Sequence, residues 1–179
     1  MIFVLSLILL IIVFLLLLII LFSFFFAIDV FLDLPYVATK KEKVGTIIKL
    51  ANIKRGETVI DLGSGDGRLL FAAAQKGAKA IGYEINPFLI FLTKLKSQFS
   101  PPQVRDLILT KRQNLWHADL AVADVIFVYG RKKTMPRFEK FIYQNAKRGA
   151  RIIVNTDKTK PFPNKKPLKS GNGIFLYKI

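Results

Sequence analysis

The sequence has no cysteine and a single histidine, His117. Disulfides, thiolate metal sites and cysteine nucleophiles are thereby excluded, and one histidine cannot assemble a histidine metal cluster. Acids are scarce as well: 12 Asp and Glu stand against 28 Lys and Arg, a formal charge of +16. Such an excess informs partners and solubility rather than fold, and it suits an anionic neighbour such as lipid headgroups, nucleic acid or an acidic protein face. A solvated basic surface with no particular partner accounts for it equally well. Charge of either sign is missing from the first 28 residues, a run of Leu, Ile, Phe and Val with two serines, and the first ionisable side chain is Asp29.

As a helix rising about 1.5 Å per residue, that run would be roughly 40 Å long, more than the roughly 30 Å hydrocarbon core of a bilayer requires. A cleaved signal peptide has a basic leading region and a shorter apolar stretch. Neither is seen here, so residues 1–28 are expected to be a retained transmembrane anchor in contact with lipid, and residues 29–40 a linker. Lys40, Lys41, Lys43 and Lys49 follow the run. By the positive-inside tendency the domain over residues 41–179 then faces the cytoplasm, from a single-pass membrane position or, in a eukaryote, from an organellar inner membrane.

About 150 residues remain, enough for one domain with one core. A helix is expected from Lys41 to Ala51, with Val44, Ile47, Ile48 and Ala51 on one side. "TVIDLG" reads as a buried strand, Arg68 to Lys76 as a helix, "AKAIGYEIN" as a second strand and "PFLIFLTKLKSQF" as a helix opened by Pro87. "DLILTKR", "ADVIFVYG", "ARIIVNT" and "GIFLYKI" read as further strands, with a helix over "MPRFEKFIYQNAK". The Lys- and Pro-rich stretch from Lys158 to Asn172 reads as loop. Strands alternating with helices imply a mostly parallel sheet covered on both faces, a doubly wound, Rossmann-like α/β fold.

Between the first strand and its helix lies "DLGSGDGR". A dinucleotide fingerprint G-x-G-x-x-G would need a third glycine where Arg68 stands, and Asp66 inside the loop would repel a phosphate. The pattern better suits a ligand with a cationic amino-acid end: loop N–H groups meet its carboxylate while Asp61 faces its ammonium. Glu84 ends the next strand, where a carboxylate can accept both hydroxyls of a ribose. A ligand with an amino-acid end and a ribose is S-adenosylmethionine. A structural turn is the plainer reading of one glycine loop taken alone.

"DLGSGDGR" followed by "GYEINP" resembles the cofactor motifs of class I, seven-strand S-adenosylmethionine-dependent methyltransferases. More narrowly, "LPYVATKKEKV", "QNLW" and "PFP" resemble the small membrane-anchored protein-lysine methyltransferases that act on the adenine nucleotide translocase and the ATP synthase c-subunit in mitochondria, and their prokaryotic relatives. The resemblance covers about Leu34 to Ile179. It implies that Asp61, Gly63, Ser64, Gly65, Asp66 and Gly67 hold the methionine end of the cofactor, Glu84 its ribose, and Asn114 with Leu115 the adenine. Asn114 stands where the family usually has an acid, and it reads alternatively as a turn residue after the third strand. Trp116 reads as core or rim. The resemblance further implies that Tyr36 and Thr39 shape a methyl-transfer slot, with Tyr129 and Gly130 as wall residues. On chemistry alone Thr39 could instead be a helix N-cap closing the linker. "VYGRKKTMP" departs from the family's more apolar stretch, and His117 reads as a loop residue without a catalytic role.

The expected activity is methylation of an accessible lysine on a membrane-associated protein. Methylation of RNA or of a lipid-linked small molecule is the less favoured alternative, and a catalytically silent cofactor-binding scaffold the third. No metal site is expected, and nothing in the sequence specifies an oligomer.

Overall fold

The computed structural model describes residues 2–31, 39–156 and 161–179, with backbone alone at 24–31 and 41. The chain divides into two compact units, Met1–Tyr36 and Val37–Ile179. The first contains helix α1 (Ile2–Phe31). Its span Ile2–Ser23 has a mean hydropathy of 3.7 and none of it is buried. A helix apolar all round has no polar side to turn to water, and by length and composition this one can cross a bilayer.

The second unit runs α2 (Lys41–Ala51), β1 (Thr58–Leu62), α3 (Arg68–Ala74), β2 (Lys79–Glu84), α4 (Pro87–Gln98), α5 (Pro102–Arg105) and β3 (Ile108–Arg112). It continues with a 3-10 turn at Leu115–His117, β4 (Val125–Tyr129), α6 (Met135–Asn145), β5 (Arg151–Asn155), β6 (Lys169–Gly171) and β7 (Ile174–Lys178). Seven strands form one sheet in the order β3-β2-β1-β4-β5-β7-β6. The ladders from β3 to β5 are parallel, and β7 enters antiparallel between β5 and β6. Strand order reverses between β1 and β4, so their carboxyl ends open a crevice at the switch point, where ligands of doubly wound sheets bind.

Alternation along the buried strands assigns two faces. Val59, Ala80, Val125, Phe127, Ile153 and Ile174 form one core with Ile47, Ile48 and Ala51 of α2 and Leu69, Leu70 and Ala73 of α3. On the other face Tyr177, opposite Ile152, packs its ring on Phe162 at 4.7 Å, and Phe162 meets Tyr143 of α6 edge-on at 6.4 Å. The "PFP" segment is thus a core element, with Phe162 fully buried. Glu139 of α6 holds it further by accepting the Asn164 N–H at 3.1 Å.

Three expectations need correction. The stretch from Lys158 to Asn172 is not all loop: Lys169–Gly171 is the edge strand β6, paired with β7. All three of its side chains are exposed, so no apolar alternation marked it. The α3 helix ends at Ala74 rather than Lys76, followed by a turn at Gly77 with φ 79°. The N-cap of α2 is Lys40, whose ammonium has no acceptor to offer the first helical N–H groups, and Thr39 stands one residue before it.

Candidate active site

Asp61 lies one residue before the end of β1, flanked in register by Gly82 of β2 and Phe127 of β4. It is buried at 5% exposure, and burial first, then the charges of Glu84 and Asp66, push its carboxyl well above the usual carboxylate range. A buried carboxylate beside two others favours a cation against it. The loop after it is tied to β2 twice. Gly63 and Ser64 donate to the Tyr83 carbonyl at 3.0 and 3.1 Å. The Glu84 carboxylate accepts from Gly65 N at 2.9 Å with one oxygen and from Ile85 N and Asn86 N at 2.8 and 2.9 Å with the other.

The close packing of this loop depends on missing side chains. A Cβ on Gly82 would lie 2.5 Å from Ser64 Oγ and 2.6 Å from Leu70 Cδ1, and one on Gly67 would lie 2.5 Å from Thr93 Cγ2. Gly63, at φ 90°, is different: it is exposed, and a Cβ there would meet only Leu115 Cδ2 at 3.9 Å. Backbone and the Leu115 side chain thus border the same opening. Ser64 Oγ is buried without a hydrogen-bond partner among the described residues, a spare donor and acceptor inside the loop.

Asp66 points elsewhere. Its carboxylate takes Arg68 Nε and Nη2, both at 2.9 Å, and Lys96 Nζ at 2.7 Å. Burial works to raise its pKa, but the hydrogen bonds and charges of these two cations prevail and hold it at about 2. Asp66 therefore braces the loop through its side chain. Arg68 also donates through Nη1 to the Thr39 carbonyl. The Thr39 hydroxyl accepts from Asn155 Nδ2 at 3.4 Å, and Asn155 Oδ1 accepts from Lys43 Nζ at 3.2 Å. Asn155 closes β5 opposite Tyr129 at the end of β4, so Thr39, Asn155 and Tyr129 gather on the carboxyl edge of the sheet.

Asn114 caps the 3-10 turn, its carbonyl accepting the Trp116 N–H at 3.1 Å. That bond gives it a turn role, which the second lone pair of Oδ1 and the Nδ2 group leave compatible with a contact to adenine. Trp116 is rim rather than core: half-buried, it stacks on Phe138 with centroids 4.6 Å apart and carries the Arg137 guanidinium 4.0 Å above its ring. His117 is exposed. Tyr36 lies outside the described residues. Sequence reading missed Arg68, Asn155, Lys43 and Lys96. Arg68 had a signal, standing where a third glycine would have been, whereas the others become neighbours only through the fold.

The order of the seven strands and the loop between two strand-end acids define a Rossmann-like methyltransferase fold. The family model described as the ANTKMT methyltransferase domain matches residues 61–167, and the chain belongs to this family. It is 32% identical over 142 residues to the rat ATP synthase c-subunit lysine N-methyltransferase, an alignment that takes in 79% of this chain and 63% of that one. It is 25% identical over 153 residues to a protein-lysine N-methyltransferase of Saccharolobus islandicus, covering 82% of this chain and 94% of the relative. The chain spans 55% of the mouse and 63% of the rat ATP synthase c-subunit enzyme. Among solved structures it is similar to an RNA methyltransferase from Salinibacter ruber in complex with S-adenosylhomocysteine. The TM-score there is 0.69 at 26% identity, over 79% of this chain and 91% of that one.

Proposed function

We propose that the protein is an S-adenosylmethionine-dependent protein-lysine methyltransferase, held at a membrane by α1 with its domain on the cytoplasmic or equivalent face. The observation that carries this reading is the glycine loop bonded to Glu84 beside the buried carboxyl of Asp61. Those residues fit the cofactor: Asp61 suits its ammonium, the loop backbone its carboxylate, Glu84 its ribose, and Leu115 an apolar wall for its adenine. Asn114 contributes by shaping the turn that carries Leu115.

When bound, the cofactor supplies an electrophilic methyl group on a sulfonium whose leaving group departs neutral. The chain's own task is positioning, which can contribute roughly 7 to 11 kcal/mol. The substrate amine must be neutral, and with an ordinary lysine pKa near 10.4 that costs about 4 kcal/mol at neutral pH. A desolvated slot formed by Tyr36, Thr39 and Tyr129 would lower this cost by disfavouring the ammonium. Tethering at a membrane raises the effective concentration of the domain toward lysines of membrane proteins.

Calorimetric titration of the full chain in detergent with S-adenosylmethionine tests the cofactor, with Asp61→Ala and Glu84→Ala expected to abolish micromolar binding. Radiolabelled methyl transfer to membrane proteins, with RNA in parallel, then tests the substrate. The +16 charge and the Salinibacter neighbour support RNA as runner-up. Cofactor binding with no transfer to protein or RNA would leave the scaffold reading. A folded chain that binds no cofactor would end the proposal.

A further inference from the structure

Helix α4 carries an apolar stripe that is exposed among the described residues. Leu89, Ile90 and Thr93 turn inward, while Phe91 is 58%, Leu95 39% and Phe99, just past the last turn, 83% exposed. Their spacing of four residues places them on one side of the helix. Basic side chains flank it: Lys94 and Lys96 stand on the helix and Arg105 follows it, Lys96 being paired with Asp66 and Arg105 with Asp106. Aromatic and leucine side chains along one side with basic neighbours are the pattern of helices lying in a membrane interface. The helix begins beside Glu84, because Asn86 is both its N-cap and a donor to that carboxylate.

We infer that the Phe91-Leu95-Phe99 face of α4 docks on an anionic lipid surface, seating the domain on the bilayer with the rim of the Glu84 crevice near the headgroups. Charge complementarity selects this occupant: a chain at +16 opposes docking of a second copy of itself, while an anionic leaflet attracts basic side chains by about 1 kcal/mol each. The inference rests on the membrane reading above for the proximity that a tether supplies. It adds an orientation that a tether alone does not fix.

The absence of cysteine permits single labels in the full chain. An environment-sensitive fluorophore at Phe91→Cys, Phe99→Cys, Val122→Cys or Leu9→Cys is read in reconstituted vesicles containing lipid-borne quenchers. The vesicles are neutral phosphatidylcholine or contain about one third phosphatidylglycerol. Val122 is an exposed apolar control in the turn before β4, and Leu9 reports the anchor. Docking predicts quenching at 91 and 99 several-fold above that at 122 in anionic vesicles, reduced in neutral vesicles and by high salt. Labels at 91 and 99 no more quenched than at 122, or energy transfer between copies without lipid quenching, overturns it. Quenching at 9 alone keeps the anchor and rejects the docking, and quenching at 91 and 99 without 9 does the reverse. A Phe91→Ser, Phe99→Ser double variant, exposed in the folded state, should lose quenching of a Leu95→Cys label while keeping its melting temperature.

Discussion

Arg68 donates through its guanidinium to the Thr39 carbonyl while its other nitrogens hold Asp66. One side chain therefore couples the segment entering the domain to the loop proposed to carry the cofactor. Arg68→Ala removes both attachments, and we expect it to cost about 1 to 2 kcal/mol of stability and to weaken cofactor binding about tenfold. Arg68→Lys should recover only part, since an ammonium lacks the planar fork. Faster amide exchange over residues 40–44 would report the loosened segment. Unchanged exchange and affinity would show that the bridge carries no coupling.

The same contact has an acid signature. Asp66 is held at about 2 against an ordinary 3.8, so its bonds add stability that is fully present above 3.8 and is lost as pH falls through about 2. Wild-type domain melting should steepen its decline over that window. Arg68→Ala should decline less, because its Asp66 starts closer to the ordinary value.

Asp61 behaves with the opposite sign. Its raised pKa means that folding favours the protonated form, so stability is present below 3.8 and is lost as pH rises through the folded value. Ionising it opposes folding until a cation faces it. Asp61→Asn should therefore raise the melting temperature of the cofactor-free chain by a few degrees at pH 7 to 8. The gain should shrink toward pH 4, and cofactor binding should be lost throughout. A variant that melts lower at every pH would show that the carboxylate serves structure.

Phe162 tests the basic tail. The ring is fully buried between Tyr143 and Tyr177 in a segment whose flanks are Lys- and Pro-rich. Phe162→Ala should cost about 3 to 5 kcal/mol, the range for truncating a buried aromatic ring. Denaturant titration checks this, and a loss under 1 kcal/mol would mean that the segment is detachable.

Much of this architecture was legible in the sequence because local pattern and tertiary demand agree. Val44, Ile47, Ile48 and Ala51 bounded α2 correctly, and the apolar run Val125–Tyr129 is the buried strand it resembled. What escaped was not carried by apolar alternation. β6 exists by pairing its exposed backbone with β7, and the role of Asp66 depends on Lys96 thirty residues away. Asn114 carried a family position but lacked the family's acid, and its side-chain carbonyl serves the local turn. The exposed stripe of α4 was invisible because apolar spacing alone does not say which side of a helix is covered.

Gly63 separates binding from folding. At φ 90° an alanine there is strained by about 1 to 2 kcal/mol, yet its methyl group would meet only Leu115 Cδ2 at 3.9 Å. That methyl would stand at the opening where the loop backbone is proposed to receive its ligand. Gly82→Ala is the converse: its methyl would run into Ser64 and Leu70 beneath the loop, an overpacking worth about 1 to 3 kcal/mol. We expect Gly63→Ala to reduce cofactor affinity by two orders of magnitude or more for a modest loss in melting temperature. Gly82→Ala should lose stability at least as much and bind more weakly only as its loop shifts. Paired thermal melts and calorimetric titrations of the two variants decide the point. If Gly63→Ala bound as tightly as the wild type, the ligand would approach from another side, and the assignment of this loop would have to be abandoned.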